Sequence, residues 1–168
     1  LAAYHLTKIY RESYNLFACN GILFNHESPR RGLNFVTAKV IKGALEIKHQ
    51  RKKFLELGNL DSMRDWGHAI DYVNAMWLIL QQKKPQDFVV ATGISKSVRD
   101  LCKLVFFKLG LGDYKKFIKI NKRYLRPNEL YHLRGNANKA KKILKWKANI
   151  SFEDMIDEMI EKLKNFFF

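Results

Sequence analysis

Three clusters of polar and charged residues, each at the edge of an apolar segment, hold the chemistry open to this chain. The first is Asn25-His26-Glu27-Ser28-Pro29-Arg30-Arg31-Gly32, directly after an apolar run at residues 17–24. In an open α/β sheet, ligands bind beyond the carboxyl ends of strands. Two arginines there can grip phosphate bidentately, and a solvated basic turn is the alternative. The run leads to Asn34 and Thr37, where the start of a helix offers unpaired amides to an anion. Lys39 falls in that helix's first turn, where a cation is misplaced unless it serves a ligand or reaches into water. The second cluster is Arg64-Asp65-Trp66-Gly67-His68, followed by Asp71-Tyr72. Asp65 is expected to cap the next helix, Arg64 to grip phosphate or pair with Asp65, and His68 to serve as a packing histidine. The third is Arg123-Tyr124-Leu125-Arg126-Pro127-Asn128-Glu129. Pro127 sets a turn that brings Arg126 and Glu129 together, either as a phosphate and ribose clamp or as a surface ion pair.

Composition narrows the partners. The chain has 168 residues, with 31 lysines and arginines against 16 acids, a net charge of +15. Such a surplus attracts anions. Its basic stretches, residues 48–53, 115–126 and 139–147, are scattered and carry no recognition-module signature, so a nucleic-acid partner is not expected. Hydrophobic content of 47% with three prolines and nine glycines predicts a packed globule. Cys19 and Cys102 lie singly in apolar segments and read as core residues in a reducing compartment. No apolar run nears the ~20 residues of a membrane span, and no signal peptide precedes the first helical segment. A cytoplasmic location, without membrane association, is the expectation. Glycine-rich dinucleotide and Walker loops, metal-binding His-Glu-x-x-His and paired Cys-x-x-Cys are all missing from the sequence. No metal site is expected.

The elements that must position these clusters alternate. Ala3, Tyr4, Leu6, Thr7 and Tyr10 follow a helical period from the outset, as though a helix were entered part-way, and the chain is expected to be part of something longer. A strand is predicted over 17–24. A helix capped by Asn34 then buries Val36, Val40, Ile41, Ala44 and Ile47. A strand follows at 54–57, and residues 72–80, apolar nearly all round, predict a buried helix. Residues 88–91 form an apolar strand. Val98, Leu101, Cys102, Val105, Phe106 and Leu109 line a helix that Gly110 ends. A short strand at 117–120 follows. The last helix opens on a Ser151–Asp154 capping box and buries Phe152, Ile156, Met159, Ile160 and Leu163, leaving the tail Phe166-Phe167-Phe168 exposed or truncated. Strands alternating with helices predict an α/β fold with a parallel sheet and an added smaller lobe.

Three runs together, residues 20–32, 34–37 and 57–69, resemble GDP-mannose 4,6-dehydratase, an extended short-chain dehydrogenase/reductase acting on a nucleotide sugar. The likeness continues through residues 87–93, Ser97-Val98-Arg99, residues 123–129 and Trp146, and so covers essentially the whole chain. The Arg-Asp-Trp stretch with His68 and Asp71 is shared widely among such enzymes, whereas His-Glu-Ser-Pro-Arg-Arg-Gly is much more specific. The resemblance implies the carboxyl-terminal part of a Rossmann-like parallel sheet plus a smaller α/β substrate-binding lobe. Residues 1–32 would be the last part of the NADP-binding half. Residues 33–168 would mainly form the nucleotide-sugar lobe, with some segments returning to the sheet.

It also implies a hydro-lyase on the GDP-fucose route. NADP takes hydride from C4 of GDP-mannose, water leaves across C5–C6, and hydride returns to C6 to give GDP-4-keto-6-deoxymannose. By the same resemblance, His26 and Arg31 contact the cofactor, while Asn25, Asn34, Lys39, Arg64, Arg126 and Glu129 contact the GDP-sugar. The family's glycine-rich turn, Thr/Ser–Glu pair and Tyr-x-x-x-Lys motif would all lie upstream of Leu1. No catalytic residue is therefore expected in this chain. It would need the upstream half for activity, forming a homo-oligomer when complete; a stand-alone GDP-sugar-binding remnant is the alternative. Two departures stand out: Ala38 replaces a usual Arg, and the stretch from Gly110 to Tyr124 is shorter than usual.

Overall fold

The structure is a computed structural model that describes residues 1–167. Helix α1 (Ala2–Tyr14) leads into β1 (Gly21–Leu23) and β2 (Asn25–Glu27), then α2 (Val36–Lys48) and β3 (Leu55–Leu57). Next come β4 (Met63–His68), α3 (Ala69–Leu80), β5 (Phe88–Val90), β6 (Ser95–Ser97) and α4 (Val98–Lys108). β7 (Ile118–Ile120), α5 (Asn138–Ile143) and α6 (Phe152–Phe167) complete the order. Three small sheets result. β1 pairs in parallel with β5, Gly21 opposite Phe88. β2 pairs in parallel with β4, Asn25 opposite Trp66, and β6 adds antiparallel to β4. β3 pairs in parallel with β7. Helices join the parallel strands, as the parallel arrangement requires.

Two cores hold these elements. In the first, Val40, Ile41, Ala44 and Leu45 of α2 meet Leu101, Cys102, Val105 and Phe106 of α4 and Met155, Ile156 and Met159 of α6. All are buried at helical spacing, and each large side chain contributes roughly 1.5–3 kcal/mol. The second core packs Tyr72, Ala75 and Ile79 of α3 on Phe88 and Val90 of β5, with Ala140, Leu144 and Trp146 closing it. Asp71 ties the two together. Its carbonyl accepts from Trp146 Nε1 at 2.9 Å, and its carboxylate accepts from the amides of Asn149 and Ile150 just before α6.

Several expectations are corrected. The predicted strand at 17–24 is shorter, and the first residues of the supposed loop, Asn25 to Glu27, form a second strand because β4 supplies a parallel partner. Asn34 does not cap α2: the cap position belongs to Phe35 and has no side-chain bond. Asp65 does not cap α3 either. It lies inside β4, and His68 caps instead, its Nδ1 accepting from Ile70 N at 3.2 Å. α3 is not buried all round: Ile70, Val73, Trp77 and Leu80 are 64, 60, 59 and 59% exposed. In α6, Met155 joins the core while Phe152 and Ile160 pack at its margin. Phe166 is exposed, and Phe168 lies outside the described residues. Between residues 110 and 124 stand two short 3-10 turns and β7. Cys102 is buried and Cys19 partly so, both unbridged, and burial pushes the Cys102 thiol up to about 12. No described helix is long and apolar enough to cross a membrane.

α1 buries none of its residues. Arg11 moors it, donating to Asp87 at 2.7 and 3.2 Å and to the Ala18 carbonyl at 3.1 Å, while Asn20 N also donates to Asp87. The Arg11 hydrogen bond, aided by Asn20, holds the Asp87 carboxyl at about 2, below its ordinary 3.8. A carboxyl depressed by folding stabilises above its unfolded value and loses that contribution as pH falls through its folded value. Asp87→Asn is expected to cost about 1.5–3 kcal/mol at neutral pH. Thermal melts should show the wild-type advantage shrinking as pH drops from 3.8 towards 2; an equal gap at every pH contradicts this.

Candidate functional site

A cavity of about 400 Å³ opens where the carboxyl ends of β2 and β3 meet the start of α2. Strand β2 contributes Asn25 and Glu27, the following turn Arg31 and Asn34, and the first turn of α2 Lys39. Gly58, Asn59 and Ser62 leave the end of β3, and β4 presents Arg64 and Trp66. The loop after β7 closes the far wall with Tyr124, Arg126 and Glu129. The guanidiniums at 31, 64 and 126 thus border one hollow, together with the Lys39 ammonium.

Arg64, Lys39 and Arg31 are each held differently. Arg64 Nη2 donates to Glu129 Oε1 at 2.7 Å, and its Nη1 donates to the carbonyls of Leu130 and Met63 at 2.6 and 2.8 Å. Both partners of that ion pair are only 13% exposed. Glu129 therefore pairs across the cavity wall with Arg64, not with its sequence neighbour Arg126. Nor does Arg64 pair with Asp65, because adjacent strand residues face opposite sides. Lys39 Nζ lies 3.6 Å from the Tyr124 ring centroid and Arg31 Cζ 3.5 Å from that of Phe35, both in cation–π range. Arg31 Nε also sits 3.1 Å from Glu27 Oε2. Burial raises the Glu27 carboxyl above its ordinary value, while Thr37, Arg31 and His26 pull the other way.

His26 stands apart from this cavity. With Arg31, Asn25, Phe24 and Leu133 it lines a second hollow of about 320 Å³ at the end of β1. Its Nδ1 lies 3.0 Å from the Phe24 carbonyl, an acceptor, so the neutral ring keeps Nε2 as its own acceptor. The ring stacks on Tyr72 at 5.2 Å. Burial, with Asp65, Asp71 and Glu27 nearby, pushes the Tyr72 phenol well above its ordinary range. His68 is fully packed: with Nδ1 accepting, its Nε2 donates to Glu158 at 2.9 Å. Ala38 is buried in the core and does not line the cavity. Among the described residues no three His, Cys, Asp or Glu gather as a metal site.

Sequence reasoning overlooked Glu27, Gly58, Asn59 and Ser62. The rule that ligands gather at strand carboxyl ends, applied to the short strand at 55–57, would have pointed to Gly58 and Asn59. Glu27 and the buried Ser62 hydroxyl, which has no hydrogen-bond partner, had no local signal. Gly58 is required by close approach: a Cβ there would meet the backbone carbonyl of Tyr124.

The fold is shared with solved structures. RMD from Pseudomonas aeruginosa, solved with NADPH, superposes with a TM-score of 0.86 at 18% identity over 98% of this chain and 53% of that one. A dTDP-glucose 4,6-dehydratase from Bacillus anthracis, solved with NAD, gives 0.84 at 20% identity over 98% and 50%. Residues 1–159 match the family described as GDP-mannose 4,6 dehydratase, and the chain belongs to that family. GDP-mannose 4,6 dehydratase of Dictyostelium discoideum is 47% identical over 95% of this chain and 49% of its own length. GDP-mannose 4,6 dehydratase 2 of Arabidopsis thaliana is 51% identical over 96% and 43%, and the Homo sapiens enzyme 44% over 95% and 47%. The chain spans about half the length of these relatives.

Gly58→Ala forces Tyr124 off its seat and is expected to cost about 1–3 kcal/mol, as overpacking does. Urea unfolding measures this; an unchanged midpoint contradicts the close approach.

Proposed function

We propose that this chain is the nucleotide-sugar-holding half of a GDP-mannose 4,6-dehydratase, turning GDP-mannose into GDP-4-keto-6-deoxymannose when joined to its complementary half. The observation that carries the reading is the ring of Arg31, Lys39, Arg64 and Arg126 around one cavity built wholly from this chain. A nucleoside diphosphate presents adjacent anionic groups, and guanidiniums match phosphate oxygens in paired hydrogen bonds. Glu129, oriented by Arg64, is placed to accept from ribose or base donors, and Asn25 and Asn34 can bond hydroxyls of the sugar.

The hollow beside His26 fits one end of a nicotinamide cofactor. It lies at a strand carboxyl end, where such groups sit, with Arg31 and an imidazole of fixed tautomer on its wall. NADP, when bound, supplies the hydride that leaves and returns. His26 and Arg31 orient its reactive end. We read the core around β1 and β5 as the remainder of the cofactor-binding half. The complementary half would bring the phosphate turn and the proton-moving groups. Two features support its docking here: β1 is paired only with β5 among the described residues, and α3 shows the apolar row Ile70, Val73 and Trp77. An open strand edge beside apolar surface is a template for further pairing.

Calorimetry on the 168-residue chain tests the cavity. GDP and GDP-mannose should bind, with GMP at least about tenfold weaker for want of the second phosphate, and Arg64→Ala should weaken GDP by about ten- to hundredfold. Folded chain that takes up no GDP overturns the reading.

A further inference from the structure

Arg31 is the charged residue common to both hollows, bordering the diphosphate-sized cavity and the pocket beside His26. A long guanidinium on a turn ordinarily samples many rotamers and loses entropy when a ligand fixes it. Here two contacts hold it in advance: the Phe35 ring beneath, and an ion pair with Glu27, whose Oε2 lies 3.1 Å from Arg31 Nε although the Nε–H makes no hydrogen bond. Glu27 is 2% exposed, and the same Oε2 accepts from Thr37 Oγ1 at 2.6 Å. It therefore joins β2, the arginine-bearing turn and the first turn of α2. A carboxylate buried beside an anion site is costly twice over, through desolvation and through repulsion of the ligand. Such a group needs a compensating role.

Resting on the reading of the cavity as a nucleoside-diphosphate site, we infer that Glu27 is a positioning residue: with Thr37 it locks the Arg31 guanidinium between the two hollows, ready for phosphate. Thr37 fixes the carboxylate, and the carboxylate fixes the guanidinium. If Glu27 acted only through its charge, removing that charge would strengthen anion binding. If it acts by positioning, the same change weakens binding.

The test uses the 168-residue chain with ¹⁵N-labelled arginine. The Arg31 Nε–Hε signal, assigned by its loss in Arg31→Lys, is expected to be as rigid as the backbone in the wild type and mobile in Glu27→Gln. GDP affinity should fall about tenfold in Glu27→Gln, equivalent to one charge-assisted contact. Thr37→Val should act in the same direction but less, and the double variant should be no worse than Glu27→Gln alone, because the hydroxyl works only through the carboxylate. Gln keeps the shape of Glu and relieves a buried charge, so folding should survive, as a thermal melt will show. Should it not, Thr37→Val alone, which retains the charge, carries both readouts. A rigid Arg31 in these variants, or GDP affinity unchanged or improved, overturns the proposal. If wild-type chain binds no GDP, it is the reading of the cavity that fails, and the Arg31 signal still decides whether Glu27 holds the guanidinium.

Discussion

Asp65 is a buried carboxylate that pairs with no cation among the described residues, yet four donors converge on it. The Thr92 amide and hydroxyl donate to Oδ1 at 2.9 and 2.6 Å, and the amides of Gly93 and Gly135 donate to Oδ2 at 2.9 and 3.1 Å. Those donors flank β5 and α5, which carry the second core, whereas Trp66 of β4 belongs to the first. Asp65 thus stitches the two cores through one strand. Full hydrogen bonding is what makes a buried carboxylate tolerable, and its loss would leave the buried Gly135 amide without a partner. Because side chains alternate along a strand, fixing Asp65 on one face also turns Arg64 and Trp66 to the other, towards the cavity.

The cavity follows the same logic of prior pairing. Three of its cations are paired in advance: Arg64 is braced by Glu129 and two carbonyls, Lys39 by Tyr124, and Arg31 by Phe35 and Glu27. Each brace uses part of the guanidinium or ammonium and leaves the rest available. Holding a side chain in one geometry lowers the entropy lost on binding. The acids at 27 and 129 also temper a surface that is strongly basic elsewhere, which favours discrimination over indiscriminate capture of anions.

Much of the frame was legible in the sequence where the signal was local. The period of Val98, Leu101, Cys102, Val105 and Phe106 gave α4, and the apolar run at 88–91 gave β5. Ser151 caps α6, its Oγ accepting from Asp154 N, but the carboxylate of Asp154 takes the Ser151 hydroxyl and not the Ser151 amide that a full box requires. Polar strands escaped notice. Ser95–Ser97 and much of β4 carry no alternating apolar pattern, and they are strands because neighbours complete their hydrogen bonds. Asp65 before a helix looks like a cap to any local rule, but the cap is His68, three residues later. The all-round apolarity of residues 72–80 suggested complete burial; in the structure only one face packs, and the other stays open.

By itself, then, the sequence determined which residue types were available for anion chemistry, where helices and apolar strands would form, and which family the motifs resemble. Such features depend on neighbours along the chain, within a turn or a few strand residues. Only the tertiary structure decided that Arg31, Arg64 and Arg126 border one hollow, that Glu129 belongs to Arg64, and that Asp65 ties two cores. These relations link residues as many as 95 positions apart, Arg31 and Arg126 being the farthest. They arise because closing the parallel sheets and packing the helices fix where strand ends meet, and no local pattern encodes that meeting.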